Sequence, residues 1–217
     1  MKIFFWICIT VVIVALGAGF YVLQNAPPEA ETSEPTITDR VPLAAQPTDP
    51  FKGERDAPVT VILVSSFGCP ACKDAAVVAD QLLASFPDQV KIVRKDLPES
   101  TGASYFAAIA ARCAQQQGGN YRYWQYHDIL FSRQEELLNF LLYSAWAREL
   151  GLDVERFDAC FDGQQTKALV DANIREGLAA ELDSVPYVQI NGSKGFAGSV
   201  TLGTLREMVQ RELDSGI

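Results

Sequence analysis

Apolar and polar positions divide the chain into three regions of different character. Residues 3–23 carry no charge, and a helix of that length, at about 1.5 Å per residue, matches the thickness of a bilayer core. Residues 25–52 contain six of the eleven prolines and show no apolar period. From residue 57 onward, apolar residues recur with the periods of strands and helices, which predicts a folded domain there.

The apolar segment predicts a transmembrane helix that acts as a signal-anchor at residues 1–24. Lys2 precedes the apolar run and Glu29, Glu31 and Glu34 follow it, which favours a cytoplasmic N-terminus and an exported body. A cleaved signal peptide is the alternative, but such peptides have a shorter apolar core that ends in a small-residue site. Here the small residues lie inside the run, so we favour an uncleaved anchor.

We predict a proline-rich flexible tether at residues 25–52 and a folded domain at residues 53–217. Within the domain, residues 58–66 form a continuous run rich in β-branched side chains, typical of a strand buried on both faces. A helix follows and ends at Phe86, and residues 89–98 predict a second strand. This β-α-β order predicts parallel strands joined by a right-handed crossover.

Helical periods dominate the middle of the chain, and strand character returns near its end. Helices are predicted over residues 104–119, 121–131, 133–150, 153–161 and 166–182, and a closing helix over 201–213. The segments PYVQI and KGFAG lie on either side of an Asn-Gly pair, which is a hairpin signal. The predicted order is therefore β-α-β, a helical block at about 100–182, and β-β-α.

Composition narrows the classes of function. The chain is 48% hydrophobic and 21% charged, as in globular proteins. Its formal net charge of −9 argues against nucleic acid as a partner, because binding to phosphate backbones needs clustered Lys and Arg.

Cys69 and Cys72 lie two residues apart, where the first predicted strand ends and a helix begins. Structural zinc needs four ligands, and outside the anchor only Cys113, Cys160 and His127 remain, far apart in sequence. A disulfide across so short a loop removes little chain entropy, so stability does not explain the placement. Because a helix N-terminus favours an anion at the first cysteine, the pattern predicts a redox-active pair rather than a metal site.

The two residues between the cysteines influence how readily the pair ionises. Pro70 suits the first helical position, where no N–H is required. Ala71 brings neither a cation nor a hydrogen-bond donor of its own, and this predicts a moderate oxidant rather than an extreme one.

Four segments together resemble the DsbA-like family of exported thiol–disulfide oxidoreductases: VTVILVSSFGCPACKDA, RCAQQQGGNYRYWQYHDILF, FDACF and SVPYVQINGSKGFAG. The resemblance covers about residues 53–213 and implies an α/β, thioredoxin-like fold with an inserted all-helical subdomain. It implies that Cys69 attacks and Cys72 resolves the mixed disulfide. It also implies that the Val185–Pro186 bond is cis and presents its backbone to bound peptide.

The resemblance has further implications for individual residues. It implies a structural disulfide between Cys113 and Cys160, with two separate buried thiols as the alternative. His127 falls in an aromatic segment that matches a packing motif, which favours a structural role. Two departures bear on redox strength and direction: Leu63 stands where thioredoxins often place a buried acid, and Ala71 stands where the strongest oxidases have histidine.

The expected activity is exchange of a Cys69–Cys72 disulfide with cysteines of exported polypeptides, chiefly as an oxidase, without a cofactor or metal. The resemblance implies a single-pass protein of the bacterial inner membrane, with its catalytic domain in the periplasm and a membrane redox partner. One alternative is a reductase or isomerase kept reduced by a membrane electron donor, although isomerases usually need a dimerisation module. Another is a non-catalytic metal carrier or chaperone, although copper carriers usually place a histidine near the thiols.

Overall fold

A computed structural model of the chain describes residues 36–37, 42–98, 102–193 and 195–216. The predicted anchor at 1–24 and the first part of the predicted tether lie outside the described residues, and the location of the anchor stays a prediction. Among the described helices, none combines the length and the hydropathy needed to cross a bilayer.

The described strands form one mixed sheet in the order β1-β6-β5-β3-β4-β2. Their bounds are β1 (Thr36–Ile37), β2 (Phe51–Gly53), β3 (Val59–Ser65), β4 (Val90–Asp96), β5 (Tyr187–Ile190) and β6 (Phe196–Ala197). β3 and β4 are parallel, with Val59 opposite Val90 and Ser65 opposite Asp96, while the other pairs are antiparallel. The predicted parallel β-α-β unit is therefore present, and its two strands lie at the centre of the sheet.

Helix α1 (Pro70–Ser85) connects the two parallel strands. It begins at Cys69, which is its N-cap residue, and ends at Phe86. Its inward face buries Ala75, Ala79 and Leu82 against the apolar side chains of β3, β4 and β5. The closing helix α6 (Leu202–Asp214) packs beside α1 on the same side of the sheet.

The helical insertion consists of α2 (Ala103–Ser132), α3 (Leu141–Glu149), α4 (Val154–Asp162) and α5 (Lys167–Ala179), in agreement with the block predicted at about 100–182. Gly118 and Gly119 depart from helical dihedral angles inside α2, and Gly119 has a φ of 62°. The glycines thus separate two helical segments with a kink between them, as the sequence predicts.

The predicted single helix at 133–150 is wrong in its first half. A short 3₁₀ helix, Gln134–Glu136, is followed by turns, and regular helix resumes only at Leu141. The N–H groups of Asn139 and Leu142 bond to carbonyls three residues earlier, which is the tighter 3₁₀ spacing. This path buries Leu137 and turns the Gln134 side chain away from the insertion.

The folded domain begins earlier than the predicted boundary at residue 53. From residue 42 onward the segment packs on the sheet: Leu43 is buried, and its N–H and carbonyl both bond to the Gln189 side chain at 2.8 Å. β2 pairs with β4 at the edge of the sheet. The predicted flexible tether therefore does not extend to residue 52. These contacts are isolated and long-range, and they leave no apolar period in the sequence.

A buried ionic cluster joins this N-terminal segment to the sheet and the insertion. The Lys95 ammonium lies 2.7 Å from the Asp49 carboxylate and 2.5 Å from the Glu176 carboxylate. Arg112 of α2 lies 3.0 Å from the Asp96 carboxylate of β4. Because buried charges are tolerated only when they are paired and hydrogen-bonded, the cluster fixes how these parts fit together.

Cys113 of α2 and Cys160 of α4 form a disulfide with an S–S distance of 1.98 Å. This is the pairing that the family resemblance implies. Both cysteines are buried in the core of the insertion. The bond joins two helices through cysteines that are 47 residues apart in sequence.

Replacing Cys113 and Cys160 by Ala is expected to lower the free energy of unfolding by up to about 4 kcal/mol, because the unfolded chain loses the constraint of a long closed loop. Urea denaturation measures the effect, in a background where Cys69 and Cys72 are both Ser. Adding a reductant should destabilise that background protein but leave the Ala variant unchanged. Equal stability of the two proteins under oxidising conditions would contradict the prediction.

Candidate active site

The Cys69 side chain caps the N-terminus of α1. Its backbone is extended (φ −93°, ψ 117°), and its sulfur accepts a hydrogen bond from the Cys72 N–H at 3.2 Å. Helix N-cap side chains satisfy N–H groups that otherwise lack a partner. Here the capping atom is a sulfur, so the interaction becomes stronger when the sulfur carries a negative charge.

The Cys72 thiol lies one turn further along α1 and is fully buried. The pKa of Cys72 is raised to about 12, chiefly because burial removes the thiol from water; a hydrogen bond with Cys69 acts in the same direction, and hydrogen bonds with Ser66 and Ser65 act against it. Both cysteines are free, so the structure shows the dithiol form. The pair is asymmetric: Cys69 is partly accessible, whereas Cys72 is shielded and protonated at neutral pH.

Pro70 and Ala71 occupy the first turn of α1 between the cysteines. Pro70 is exposed and stands at the start of the helix, as the sequence predicts, and Ala71 is half-buried. Neither residue has a side-chain donor that reaches a sulfur, so any hydrogen bond that stabilises an anion must come from outside this dipeptide.

The Val185–Pro186 peptide bond is cis and lies beside the accessible cysteine. The Val185 carbonyl oxygen is 3.6 Å from the Cys69 sulfur, and Pro186 leads directly into β5. An open groove of about 420 Å³ begins at this point, and apolar side chains contribute most of its walls (Leu97, Ile174, Leu178, Leu182 and Val185). Val185 thus lines the groove and also contacts the Cys69 sulfur.

Comparison with known proteins decides the family. A sequence model described as thioredoxin matches residues 45–211, which is most of the chain. The chain belongs to the thioredoxin family. The match includes strands β2 to β6, Cys69 and Cys72, and the whole helical insertion, and it begins before residue 53, as the packing of the N-terminal segment also requires.

Solved structures identify the variant of the thioredoxin fold. BdbD from Bacillus subtilis superposes with a TM-score of 0.73 at 20% identity, covering 82% of this chain and 100% of that one. The thiol–disulfide exchange protein α-DsbA2 from Wolbachia pipientis gives a TM-score of 0.69 at 20% identity, covering 76% and 88%. The predicted thioredoxin-like α/β fold with a helical insertion is thus confirmed, and it is the fold of DsbA-type proteins.

Curated relatives are longer than this thioredoxin-family chain. A Na⁺/H⁺ antiporter NhaA 3 from Salinispora tropica is 32% identical over 158 residues, which cover 69% of this chain but 22% of that protein. A Na⁺/H⁺ antiporter NhaA from Herminiimonas arsenicoxydans is 29% identical over 178 residues, with 28% of that protein covered. The chain therefore spans about a quarter of the length of these relatives.

His127 packs beneath the active-site loop of this thioredoxin-family domain. Its ring lies 5.6 Å from Phe67, 4.7 Å from Trp124 and 4.8 Å from Phe131, between ring centroids. Burial lowers the pKa of His127 to about 4, and its hydrogen bond to Asp128 opposes that change. A buried, neutral ring among aromatic side chains fits the structural role that the sequence favours.

Sequence reasoning missed Arg94 and Gln134, whereas it singled out Leu63 as a departure from the family pattern. Leu63, at the position where the family often has an acid, is buried and stands opposite Arg94 in the sheet. The Arg94 guanidinium lies 4.1 Å from the centre of the Phe67 ring and bonds to Asp96. Gln134 reaches the active-site loop from the insertion. Charged residues inside a buried strand were the available signal for Arg94, whereas nothing in the sequence marks Gln134.

Metal binding finds no support around the thiols. Within the described part of the chain, no group of three His, Cys, Asp or Glu side chains is placed to hold a metal ion. The arrangement provides one accessible sulfur, one buried thiol and a backbone carbonyl in contact with the accessible sulfur, which suits exchange between a disulfide and a thiol.

Replacing His127 by Gln is expected to remove a specific loss of stability at acid pH. The unfolded chain binds a proton at His127 below pH 6.5, whereas the folded chain binds it only near pH 4, so acid favours unfolding in this interval. The parent should lose about 3 kcal/mol of unfolding free energy more than the variant between these pH values. Urea denaturation at a series of pH values measures the difference, and parallel curves would contradict it.

Proposed function

We propose that this protein is a thiol–disulfide oxidoreductase that oxidises cysteine pairs in exported polypeptides. One observation carries the proposal: the accessible Cys69 sulfur is bonded to a helix N–H and lies beside the cis Val185–Pro186 backbone. The thioredoxin family and the DsbA-type fold support thiol–disulfide exchange in general. The oxidising direction, the substrates and the membrane attachment are finer statements that belong to the proposal.

The proposed reaction moves two electrons from the substrate to the enzyme. A substrate thiolate attacks the Cys69 sulfur of the Cys69–Cys72 disulfide, forming a mixed disulfide and releasing Cys72 as a thiolate. Burial makes that thiolate unfavourable, so Cys72 takes up a proton. A second substrate thiolate attacks the substrate sulfur of the mixed disulfide, which completes the substrate disulfide and releases the Cys69 thiolate.

The stabilisation of the released Cys69 anion supports the oxidising direction. An interaction that stabilises the reduced form of a dithiol makes its disulfide a stronger oxidant, and the Cys72 N–H is such an interaction. Ala71 adds no donor of its own, which supports intermediate strength. The alternative is a reductase kept reduced by an electron donor, and the reduction potential separates the two.

The setting of the reaction is proposed from the sequence and the cysteine chemistry. The uncharged segment at residues 3–23 supports a membrane anchor, and the charges on its two sides support export of the domain. The Cys113–Cys160 disulfide supports an oxidising compartment. The proposal extends to a bacterial periplasm as the compartment and to a membrane partner that reoxidises the enzyme. No transport activity is carried over from the antiporter relatives, of which the chain spans so small a part.

Replacing Cys69 by Ser is expected to abolish oxidation of a reduced, unfolded peptide with two cysteines, because the Cys69–Cys72 disulfide that accepts the attack can no longer form. Incubated with oxidised glutathione, the Cys72→Ser protein should instead accumulate a mixed disulfide, because the Cys69 thiolate attacks the glutathione disulfide, releases one glutathione thiol, and no resolving thiol remains to displace the other. Turnover is followed by loss of free thiols, and the mixed disulfide by mass spectrometry. A Cys69→Ser protein with parental turnover would refute the proposed function.

The Cys69–Cys72 reduction potential is expected to lie roughly 100 mV above the value of about −270 mV typical of thioredoxin. Equilibration with glutathione redox buffers, read by the fraction of protein that can be alkylated, measures it. The Cys113→Ala and Cys160→Ala double variant serves as the control that removes the other disulfide. A potential equal to that of thioredoxin would favour the reductase.

A further inference from the structure

The Gln134 side chain connects the helical insertion to the active-site loop. Gln134 begins the 3₁₀ helix that interrupts the predicted helix after α2. Its side-chain amide nitrogen donates to the Phe67 carbonyl oxygen at 2.7 Å and to the Cys69 carbonyl oxygen at 3.0 Å. A primary amide has two N–H donors, and both are used here.

The two carbonyls belong to two peptide groups near Gly68, the Phe67–Gly68 peptide and the Cys69–Pro70 peptide. The Phe67 carbonyl is in the peptide that enters Gly68, and the Cys69 carbonyl is in the peptide that begins α1. The Cys69 carbonyl also accepts from the N–H groups of Cys72 at 3.1 Å and Lys73 at 3.4 Å, which are the first bonds of the helix. Gln134 therefore holds the loop at Phe67, the residue before the glycine, and at Cys69, the N-cap residue of α1.

Gly68 lies between these two residues, so the hydrogen bonds from Gln134 restrain a part of the loop that is otherwise free to change conformation. Gly68 is exposed and has the widest conformational freedom of any residue. A Cβ at Gly68 would lie 2.2 Å from the Ser104 hydroxyl oxygen, so the first turn of α2 packs closely on the loop. Side-chain packing alone does not define the two peptide planes, whereas a pair of hydrogen bonds does.

The ring of Phe67 provides the second contact between the loop and the insertion. It lies 5.1 Å from the Phe131 ring and is fully buried. Packing of the Phe67 ring fixes how closely the loop lies against the insertion. The Gln134 amide fixes the orientation of the peptide groups in the loop. Together they orient Cys69 so that its sulfur meets the Cys72 N–H at 3.2 Å.

We propose that Gln134 is a positioning residue for the Cys69 nucleophile. Through the Phe67 and Cys69 carbonyls, its amide sets the direction of the Cys69 sulfur relative to the first N–H groups of α1. This inference rests on the proposed function only in taking Cys69 as the reacting thiol. Gln134 itself touches neither sulfur among its described hydrogen bonds, so it acts through the backbone of the loop.

The test uses Gln134→Met, which keeps the length of the side chain but has no donor, and Gln134→Glu, whose carboxylate faces two carbonyl oxygens. Both changes are made in a Cys72→Ser background, so that Cys69 is the reporting thiol. Iodoacetamide alkylation of Cys69 at pH 7 is expected to slow by about tenfold in Gln134→Met, the equivalent of about 1.4 kcal/mol. The decrease in the rate of Cys69 alkylation should be larger in Gln134→Glu.

The pH profile separates positioning from a merely structural role. In Gln134→Met the pH of half-maximal alkylation should rise by about one unit, because the sulfur loses its alignment with the helix N–H. The matched control is Gln210→Glu, an exposed position on α6, which should alkylate like the parent. Far-UV circular dichroism and urea denaturation confirm that the variants are folded.

Alkylation of Gln134→Met at the parental rate and with the parental pH profile would overturn the inference. A parent protein that does not exchange disulfides would overturn the proposed function instead, so the two failures are distinct. A measurement without substitution remains if the variants unfold: the Gln134 amide protons should exchange with solvent more slowly than those of exposed Gln210. Equal exchange would also count against the proposal.

Discussion

The first turn of a helix leaves N–H groups without partners inside the helix, and in this protein a thiol side chain meets them. Cys69 caps α1 through its sulfur, which accepts from the Cys72 N–H. A serine would cap the same helix, but it would not react with a disulfide. The need for a cap and the need for a stabilised sulfur anion are thus met by one side chain, and the β3–α1 junction provides it.

Burial of Cys72 determines which of the two sulfurs an incoming sulfur can attack. Cys72 stays protonated at neutral pH because the interior disfavours its anion, whereas the Cys69 sulfur is partly accessible and lies against the Val185 carbonyl. An incoming sulfur can therefore reach only one end of the disulfide. The buried thiol is released inward, where taking up a proton removes an unfavourable charge.

Local sequence signals predicted the parts of the fold that depend on neighbouring residues. A β-branched run, Pro70 at the helix start and an Asn-Gly turn identify β3, α1 and the hairpin, and the cysteines follow from their place at the junction. Two features were not predictable because their partners are distant in sequence. Leu43 is held by Gln189, 146 residues away, and the break at Gln134 follows from bonds to a loop about 65 residues earlier.

The helical insertion therefore takes part in setting the reactivity of the thiol. Because Ala71 has no donor, the CxxC motif offers the Cys69 sulfur the Cys72 N–H and the Cys72 thiol, and the alignment of the sulfur with these groups depends on the loop that precedes Cys69. That loop is held by Gln134 and by the packing of Phe67 on the insertion. A change in the insertion can thus alter redox strength while the sequence between the cysteines stays the same, so the CxxC dipeptide alone does not determine the potential.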